Sequence, residues 1–306
     1  MTKIAFMFPG QGSMEAGMGR DVAAALPEAM AIFDEASDAA GMDLKELCFE
    51  RPVEDLVDTE VQQPALVTTS LAFDAALRAR GIRPDVVVGH SVGEFSALGS
   101  ADALTVRDAV ALVRQRGIAM AEAAKAHPGS MAAILGLADE AVEALCRKIS
   151  NVWPANYNCP GQLVISGETP SVDEACDEAA REGARRAIKL RVSGAFHSPL
   201  VARAAEALRP AVERVHIGEG KAAFMSTVSA KIEDAQHYRE LLIEQLTAPV
   251  RFTQAARELI ADGVTTFVEV GPGNVLGGLL KRIDRNVRTF SVNDLKSLDE
   301  ATDALG

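Results

Sequence analysis

PDVVVGHSVG, residues 84–93, joins a run of three valines to a serine that is flanked by glycines. Three consecutive β-branched residues predict a short buried strand, and the following EFSALGS, residues 94–100, predicts a helix. A serine on such a tight strand-to-helix turn is held in a strained and exposed position, and the neighbouring glycines let the backbone fold closely. The segment therefore predicts a parallel α/β sheet with Ser91 as a candidate nucleophile. The alternative is a glycine turn with a purely structural role.

The rest of the chain repeats this alternation of strand and helix. Two further strands are predicted to end in glycine loops, KIAFMF at 3–8 and TTFVEV at 265–270, and a fourth is predicted at 289–292. Helical periodicity covers residues 21–40, 64–80 and 105–126. Strands that alternate with helices imply right-handed crossovers and a mostly parallel sheet covered on both faces.

Residues 129 to 194 follow a different order. They predict strand, helix, strand, strand, helix and strand, with the last strand at 184–193. This β-α-β-β-α-β order is the ferredoxin-like split motif. The sequence therefore predicts a large α/β domain formed by residues 1–127 and 195–306, with a ferredoxin-like subdomain at 128–194 inserted into it.

Composition and charge exclude several classes of protein. The formal net charge is −12 and the pI is near 5.0, which argues against a nucleic-acid or anionic-membrane binder. No uncharged apolar stretch approaches the roughly 20 residues of a membrane span. The four cysteines form no CxxC pair and adjoin no histidine cluster, so neither a disulfide framework nor a zinc site is expected. A reducing cytoplasm is the expected compartment.

A nucleophilic serine needs a base, and the sequence offers five histidines. His197 stands in Gly194-Ala195-Phe196-His197-Ser198-Pro199, a loop of mainly small residues where the chain returns from the insertion. Loops at domain junctions line clefts, which favours His197. The others are expected at structural or surface positions: His90 under the turn, His127 at a helix end, His216 in a strand-like edge and His237 in a polar run.

Arg116 does not fit its helix as a solvated residue. The apolar stripe of helix 105–125 contains Ala109, Leu112 and Met120, and Arg116 falls on that same face. A buried guanidinium is costly without a partner. It is therefore expected to meet either a carboxylate of the protein, as a structural ion pair, or the carboxylate of a ligand, through two parallel hydrogen bonds.

Taken together, these motifs resemble the malonyl-CoA:acyl carrier protein transacylases of fatty-acid synthesis and the related acyltransferase domains of polyketide synthases. The resemblance runs nearly end to end. It rests on FPGQGSM (8–14), QPAL (63–66), GHSVGEFSAL (89–98), QRG (115–117), NYNCPGQLVISG (156–167), GAFHSPL (194–200), EQLTAPVRF (244–252) and EVGPGNVL (269–276).

The resemblance implies a hydrolase-like α/β domain with a ferredoxin-like insertion, and it implies roles for single residues. Ser91 would be acylated, His197 would be its general base, and the main-chain carbonyl of Gln245 would orient the histidine. The backbone N–H groups of Gln11 and Val92 would form the oxyanion hole. The proposed substrate-binding set is Arg116 for the malonyl carboxylate, Phe196 as a bulky residue that would crowd an α-methyl branch, and Gln63, His90, Asn156 and Asn158 near the cleft.

The reaction implied by the resemblance is a ping-pong transfer of malonyl from malonyl-CoA to the pantetheine thiol of holo acyl carrier protein, through a malonyl-serine ester. No metal or redox cofactor would be needed, and a monomer is expected. One rival is a serine hydrolase, although those enzymes place the histidine late in the chain and would leave Arg116 without a role. The other rival is a non-catalytic module that docks carrier proteins. Gln63, Asn156 and Asn158 could also serve packing alone.

Overall fold

Two β-sheets organise the chain, and the computed structural model describes residues 3–306 of it. The strands are β1 (Lys3–Phe8), β2 (Val86–Gly89), β3 (Ser130–Leu135), β4 (Val152–Cys159), β5 (Gln162–Gly167), β6 (Arg186–Lys189), β7 (Ala223–Ser226), β8 (Lys231–Glu233), β9 (Val264–Val270) and β10 (Arg288–Val292).

The helices outnumber the strands and surround both sheets. They are α1 (Arg20–Ala25), α2 (Pro27–Ala40), α3 (Leu44–Phe49), α4 (Thr59–Ala79), α5 (Gly93–Ser100), α6 (Val106–Ala126), α7 (Asp139–Lys148), α8 (Thr169–Arg181), α9 (Ala202–Arg214), α10 (Ala235–Glu244), α11 (Phe252–Ala261), α12 (Val275–Ile283) and α13 (Leu295–Leu305). Short 3-10 helices occupy Val53–Leu56 and Pro199–Val201. Among the described helices, none has both the length and the apolar character that crossing a membrane requires.

The larger sheet has the strand order β10-β9-β1-β2-β7-β8, and only the β7–β8 pair is antiparallel. This confirms the predicted mostly parallel α/β fold. In the register, Phe8 pairs with Gly89 and Met7 pairs with Glu269, so β1, β2 and β9 end at the same edge. Ligands of open α/β sheets bind at this carboxyl edge. The Pro9–Ser13 loop and the Ser91 turn therefore lie side by side.

Alternate residues of the central strands fill two apolar layers. Phe6 and Phe8 of β1 belong to the cluster that includes the buried faces of α4 and α6. Ala5 and Met7 point to the other face, where they join side chains of α11 and α12. A parallel strand buried on both faces explains the unbroken apolar runs from which these strands were predicted.

The second sheet is antiparallel, with the order β4-β5-β3-β6. Ala132 and Ile134 of β3 pack against α7 and α8, whereas Met131 and Ala133 join the core of the large sheet. Val250, in the segment before α11, pairs with β4 of this sheet, because its N–H donates to Ala155 O and its carbonyl accepts from Tyr157 N, each at 2.8 Å. The element order follows the β-α-β-β-α-β pattern; the boundaries at 127/128 and 194/195 stay a prediction.

Three local predictions were wrong. The strand predicted at 184–193 ends at Lys189, because β6 pairs only with β3 and the chain then leaves the sheet after Leu190 N donates to Met131 O. His216 lies in an exposed loop after α9 and not in a strand. The helix predicted at 21–40 is two helices, since Pro27 has no N–H to continue the first and begins a second.

Candidate active site

The turn between β2 and α5 holds Ser91 in a left-handed backbone conformation, with φ of 54°. Non-glycine residues rarely adopt this conformation, so the surrounding structure must enforce it. The two glycines make that possible. A Cβ on Gly89 would lie 2.1 Å from Glu94 N, and one on Gly93 would lie 2.2 Å from Phe8 O. The turn therefore packs directly against the end of β1 and presents the serine hydroxyl at the mouth of a cleft.

His197 contacts the hydroxyl of Ser91 from a distant part of the chain. Its Nε2 lies 2.8 Å from Ser91 Oγ. Its Nδ1 lies 2.8 Å from the carbonyl oxygen of Gln245 and 3.1 Å from that of Ala248. Because a carbonyl can only accept, Nδ1 carries the proton and Nε2 presents a lone pair to the serine. This is the tautomer that a general base requires.

The protonation state of His197 follows from its surroundings. The residue is 4% exposed. Burial, the positive charge of Arg116 and the neighbouring His90 together lower the pKa of its imidazole to about 3, and burial has the largest effect. The imidazole is therefore neutral at pH 7 and able to take a proton.

Arg116 is the largest buried side chain of the described residues, with 1% exposed. Its Nη2 donates to Ser91 Oγ at 3.2 Å and to Gln245 Oε1 at 2.9 Å, and its Nε has no partner in the described part of the chain. The guanidinium lies 5.9 Å from the centre of the Phe95 ring. Burial lowers the pKa of Arg116 and the charge of Glu94 raises it. An arginine side chain stays protonated under such conditions.

The partners of Arg116 bear on whether it forms a structural ion pair or is free to bind a ligand. Within residues 3–306, no carboxylate oxygen lies within 4.0 Å of its guanidinium, so it forms no direct structural ion pair. A neutral amide and a hydroxyl are its partners instead. A guanidinium in this state retains the capacity to bind an incoming carboxylate.

Ser91 and His197 open onto a cleft of about 180 Å³ between the two sheets. Its walls are formed by Gly10, Gln11, Ser13, His90, Ser91, Met120, Met131, Asn156, Asn158, Gln162, Val164, Leu190, Val192, Phe196, His197, Val275, Leu276 and Leu279. The walls are mainly apolar, with a few amides near the serine. This composition is typical of a cleft that binds a small ligand, with apolar walls and a few polar groups that fix its orientation.

Most of the predicted amide and histidine residues line the cleft, and one lies behind its wall. Asn156 and Asn158 line the cleft, and Asn158 Oδ1 lies 3.0 Å from His90 Nε2. Burial lowers the pKa of His90, so it is neutral and donates this hydrogen bond. Gln63 lies behind the wall, where its Nε2 donates to the sulfur of Met120 at 3.4 Å.

The two predicted oxyanion donors lie at the ends of neighbouring strands. Gln11 belongs to the loop after β1, and Val92 is the N-cap of α5. Neither backbone N–H donates to an acceptor within residues 3–306. Both are therefore available to a developing oxyanion, and the helix dipole of α5 favours negative charge there.

Sequence reasoning missed several residues of the site. Ala248 supplies a second carbonyl to His197, and Glu94 lies fully buried behind the serine turn. Glu94 carried a signal, since it is the one acidic residue in the otherwise uncharged helix EFSALGS. Leu190 and Val192 line the cleft because their predicted strand ends early.

The chemistry available here is acyl transfer through a serine ester. A base and a buried cation lie within 3.2 Å of the serine hydroxyl, and two free backbone N–H groups lie in the loop after β1 and the turn that holds the serine. In residues 3–306, no group of three or more His, Cys, Asp or Glu side chains could hold a metal ion.

Comparison with known proteins agrees with this geometry. The family model described as acyl transferase domain matches residues 5–296. The chain is 46% identical over 310 residues to the malonyl CoA-acyl carrier protein transacylase of Bacillus subtilis strain 168, covering 100% of this chain and 98% of that relative.

Solved structures give the same result. The malonyl CoA-acyl carrier protein transacylase of Coxiella burnetii superposes with a TM-score of 0.96 at 36% identity, covering 99% of this chain and 98% of that chain. A malonyl-transacylase solved in complex with its type II polyketide synthase acyl carrier protein has a TM-score of 0.95 at 38% identity, covering 99% and 100%. The chain therefore belongs to the malonyl-CoA:acyl carrier protein transacylases, within the acyl transferase domain family.

Proposed function

We propose that this protein transfers the malonyl group of malonyl-CoA to the pantetheine thiol of holo acyl carrier protein, with Ser91 as the acylated residue. One observation carries the assignment of the site. The Ser91 hydroxyl lies 2.8 Å from the imidazole of His197 and 3.2 Å from the guanidinium of Arg116. A nucleophile, its base and a carboxylate receptor thus meet at one atom. The family membership supports the same reaction.

In the first half-reaction, Ser91 Oγ attacks the thioester carbonyl and His197 Nε2 takes its proton. The carbonyl oxygen becomes an oxyanion that the N–H groups of Gln11 and Val92 stabilise, each by about 3 kcal/mol. The tetrahedral intermediate then breaks its C–S bond, and coenzyme A leaves as a thiol after it receives the proton from His197. Ser91 is left as a malonyl ester.

In the second half-reaction, His197 takes the proton of the pantetheine thiol, and the sulfur attacks the ester carbonyl. The same two donors stabilise the second oxyanion. The C–Oγ bond breaks, and His197 returns its proton to Ser91. Gln245 and Ala248 hold the imidazole in one tautomer throughout, because both carbonyls accept from Nδ1.

Arg116 gives the reaction its preference for a carboxylated acyl group. In the resting site its Nη2 is shared between Ser91 and Gln245. A carboxylate is a stronger acceptor than a hydroxyl, so the malonyl group would draw the guanidinium toward itself. The Ser91 hydroxyl would keep its hydrogen bond to His197, because an oxygen that accepts from Arg116 can donate to the imidazole at the same time.

We expect the remaining cleft residues to bind the pantetheine arm and the acyl group. Asn156 and Asn158 present amides that match the amide groups of the pantetheine arm, and His90 fixes Asn158 by its hydrogen bond. Phe196 is 4% exposed and lines the cleft next to His197 in the chain, and we expect it to crowd an α-methyl branch. Gln63 packs behind Met120 and supports the wall.

A carrier protein is acidic, and this chain carries a net charge of −12, so a local basic surface is needed for encounter. The proposed surface consists of Arg185, Arg186, Lys189 and Arg191 of the insertion with Lys281 and Arg282 of α12. Arg282 donates to Gln162, which lines the cleft, and this contact places one cation at the rim. The solved complex of a related transacylase with its carrier protein supports a protein partner.

No metal or redox cofactor is part of this scheme, because every proton has a donor and an acceptor among the residues named. We propose a cytoplasmic monomer whose partners are malonyl-CoA and holo acyl carrier protein, and neither nucleic acid nor a membrane. Fatty-acid synthesis is the pathway that the family membership indicates.

The transfer is tested by following coenzyme A release with and without the carrier protein. Without it, a transferase releases one equivalent of coenzyme A per enzyme and then stops, because the malonyl-serine ester waits for a thiol. With holo carrier protein, release continues and malonyl carrier protein accumulates. Continuous release without the carrier protein would identify a hydrolase instead.

A further inference from the structure

Glu94 is a fully buried carboxylate that the reaction scheme above does not use. It lies in the first turn of α5, three residues after Ser91. Its Oε1 accepts from Thr227 N at 2.7 Å, Thr227 Oγ1 at 2.9 Å and Ser226 Oγ at 3.2 Å, and its Oε2 accepts from Gln245 Nε2 at 3.1 Å. Burying a carboxylate is costly, and four donors offset that cost.

The hydrogen bond between Glu94 and Gln245 determines the orientation of the Gln245 side-chain amide. Glu94 Oε2 can only accept from it, and Arg116 Nη2 can only donate to it. The amide therefore has one orientation that satisfies both neighbours, with Nε2 toward Glu94 and Oε1 toward Arg116 at 2.9 Å. The main-chain carbonyl of Gln245 is separate from this relay, because it accepts from His197.

The charges of Glu94 and Arg116 also influence each other. The Glu94 carboxylate is close enough for its charge to raise the pKa of Arg116, and the Arg116 charge lowers that of Glu94. Burial acts in the opposite direction and raises the pKa of Glu94 to about 7, so the carboxylate form prevails above that pH. In this form, the buried guanidinium and the carboxylate make an ion pair that is bridged by the Gln245 amide and not by direct contact.

We propose that Glu94 is a positioning residue that, through the side-chain amide of Gln245, holds the Arg116 guanidinium where it receives the malonyl carboxylate. The proposal rests on the proposed function, because it assigns Glu94 to the specificity for a carboxylated acyl group. Because the Gln245 amide lies between Glu94 and Arg116, the two charged groups are not in direct contact. An incoming carboxylate can therefore bind Arg116 without breaking a direct ion pair. A purely structural alternative would restrict Glu94 to joining α5 with the end of β7.

Glu94→Gln separates these alternatives. Three donors surround Oε1, so the new carbonyl oxygen stays there and the new amide nitrogen faces Gln245. Because that nitrogen is a donor, Gln245 must turn its amide so that Oε1 faces residue 94. Its Nε2 then faces the Arg116 guanidinium, and two donors cannot form a hydrogen bond with each other. The relay is broken while the volume of the side chain is preserved.

The measurement is kcat/KM for acylation of Ser91 by malonyl-CoA and by acetyl-CoA, expressed as their ratio. Loss of one hydrogen bond to a charged group predicts a fall of the ratio by about 10-fold to 100-fold in Glu94→Gln. Ser226→Ala is the matched control, since it removes a donor from Oε1 and leaves Gln245 untouched. We expect it to lower the melting temperature and to keep the ratio.

A double-mutant cycle with Arg116→Ala supplies the decisive comparison. In the Arg116→Ala background, Glu94→Gln is expected to leave the ratio unchanged. An equal loss for both substrates in Glu94→Gln, or a fall of the ratio that persists without Arg116, would overturn the proposal. If Arg116→Ala alone kept the wild-type ratio, the role proposed for Arg116 would be at fault. Glu94→Asp, which keeps the charge but withdraws it by one methylene, gives the same test if the glutamine variant does not fold.

Discussion

Arg116 of α6 donates a hydrogen bond from Nη2 to the hydroxyl of Ser91 across 3.2 Å, and Ser91 lies in the turn between β2 and α5. The same nitrogen bonds Gln245 at 2.9 Å. A buried cation thus touches the atom that is proposed to be acylated. If Arg116 binds the malonyl carboxylate as proposed, the acyl group is recognised directly beside the nucleophile.

Replacement of Arg116 tests that recognition. In Arg116→Ala, kcat/KM with malonyl-CoA is expected to fall by about 100-fold to 1,000-fold, because the malonyl carboxylate would be buried without its partner. Acetyl-CoA has no carboxylate and should lose far less. Arg116→Lys keeps the charge but not the two-pronged geometry, and it should give an intermediate loss. Equal losses for malonyl and acetyl substrates would contradict the carboxylate receptor.

The pH dependence of acylation tests the state of His197. Burial lowers its pKa to about 3, so the imidazole stays neutral and active as pH falls through the ordinary histidine value of 6.5. Acetyl-CoA is the suitable substrate, since it does not engage Arg116. Stopped-flow acylation between pH 5 and 8 is expected to show no inflection near 6.5. A tenfold loss per pH unit below 6.5 would show that an ordinary histidine is titrating.

Phe196 tests selectivity against a branched acyl group. Phe196→Ser opens space beside His197 and should raise kcat/KM for methylmalonyl-CoA relative to malonyl-CoA. One methyl group is worth about 1–3 kcal/mol in a pocket, so the shift should be about tenfold or more. Met131→Ala is the matched control, because Met131 is another apolar residue of the cleft wall. An unchanged ratio in Phe196→Ser would remove Phe196 from the selectivity argument.

Neutralising the rim of the cleft tests carrier-protein docking. Lys281→Ala combined with Arg282→Ala is expected to lower kcat/KM for the carrier protein by about 3-fold to 10-fold and to weaken its salt dependence. Lys296→Ala is the control, because this exposed lysine of α13 pairs with Glu300 and lies outside the proposed surface. Kinetics and salt dependence that match wild type in the double variant would rule out this surface.

The sequence predicted local geometry well where one short segment contains the cause. Three valines, two glycines and a serine were enough to predict the strand and turn at Ser91, and helical periodicity placed Arg116 on a buried face. The structure has the strand and the turn at Ser91, and Arg116 is buried. The roles of these residues stay predictions until the variants are measured.

The features that were missed depend on partners far away in the chain. The lone acidic residue of α5 marks Glu94 as unusual, but its partners Thr227 and Gln245 follow it by more than 130 residues, and no local pattern identifies them. The early end of β6 depends on the extent of its pairing with β3. Propensity favoured a longer strand at 184–193, and tertiary pairing decided otherwise.

The most direct test of the account is the intact mass of the protein after it is mixed with malonyl-CoA, followed by peptide mapping. We expect one malonyl group per chain, located on Ser91 and removed when holo acyl carrier protein is added. Ser91→Ala should remain unmodified under the same conditions. A malonyl group on another residue, or modification that persists in Ser91→Ala, would contradict the assignment of Ser91 as the acyl carrier of the reaction.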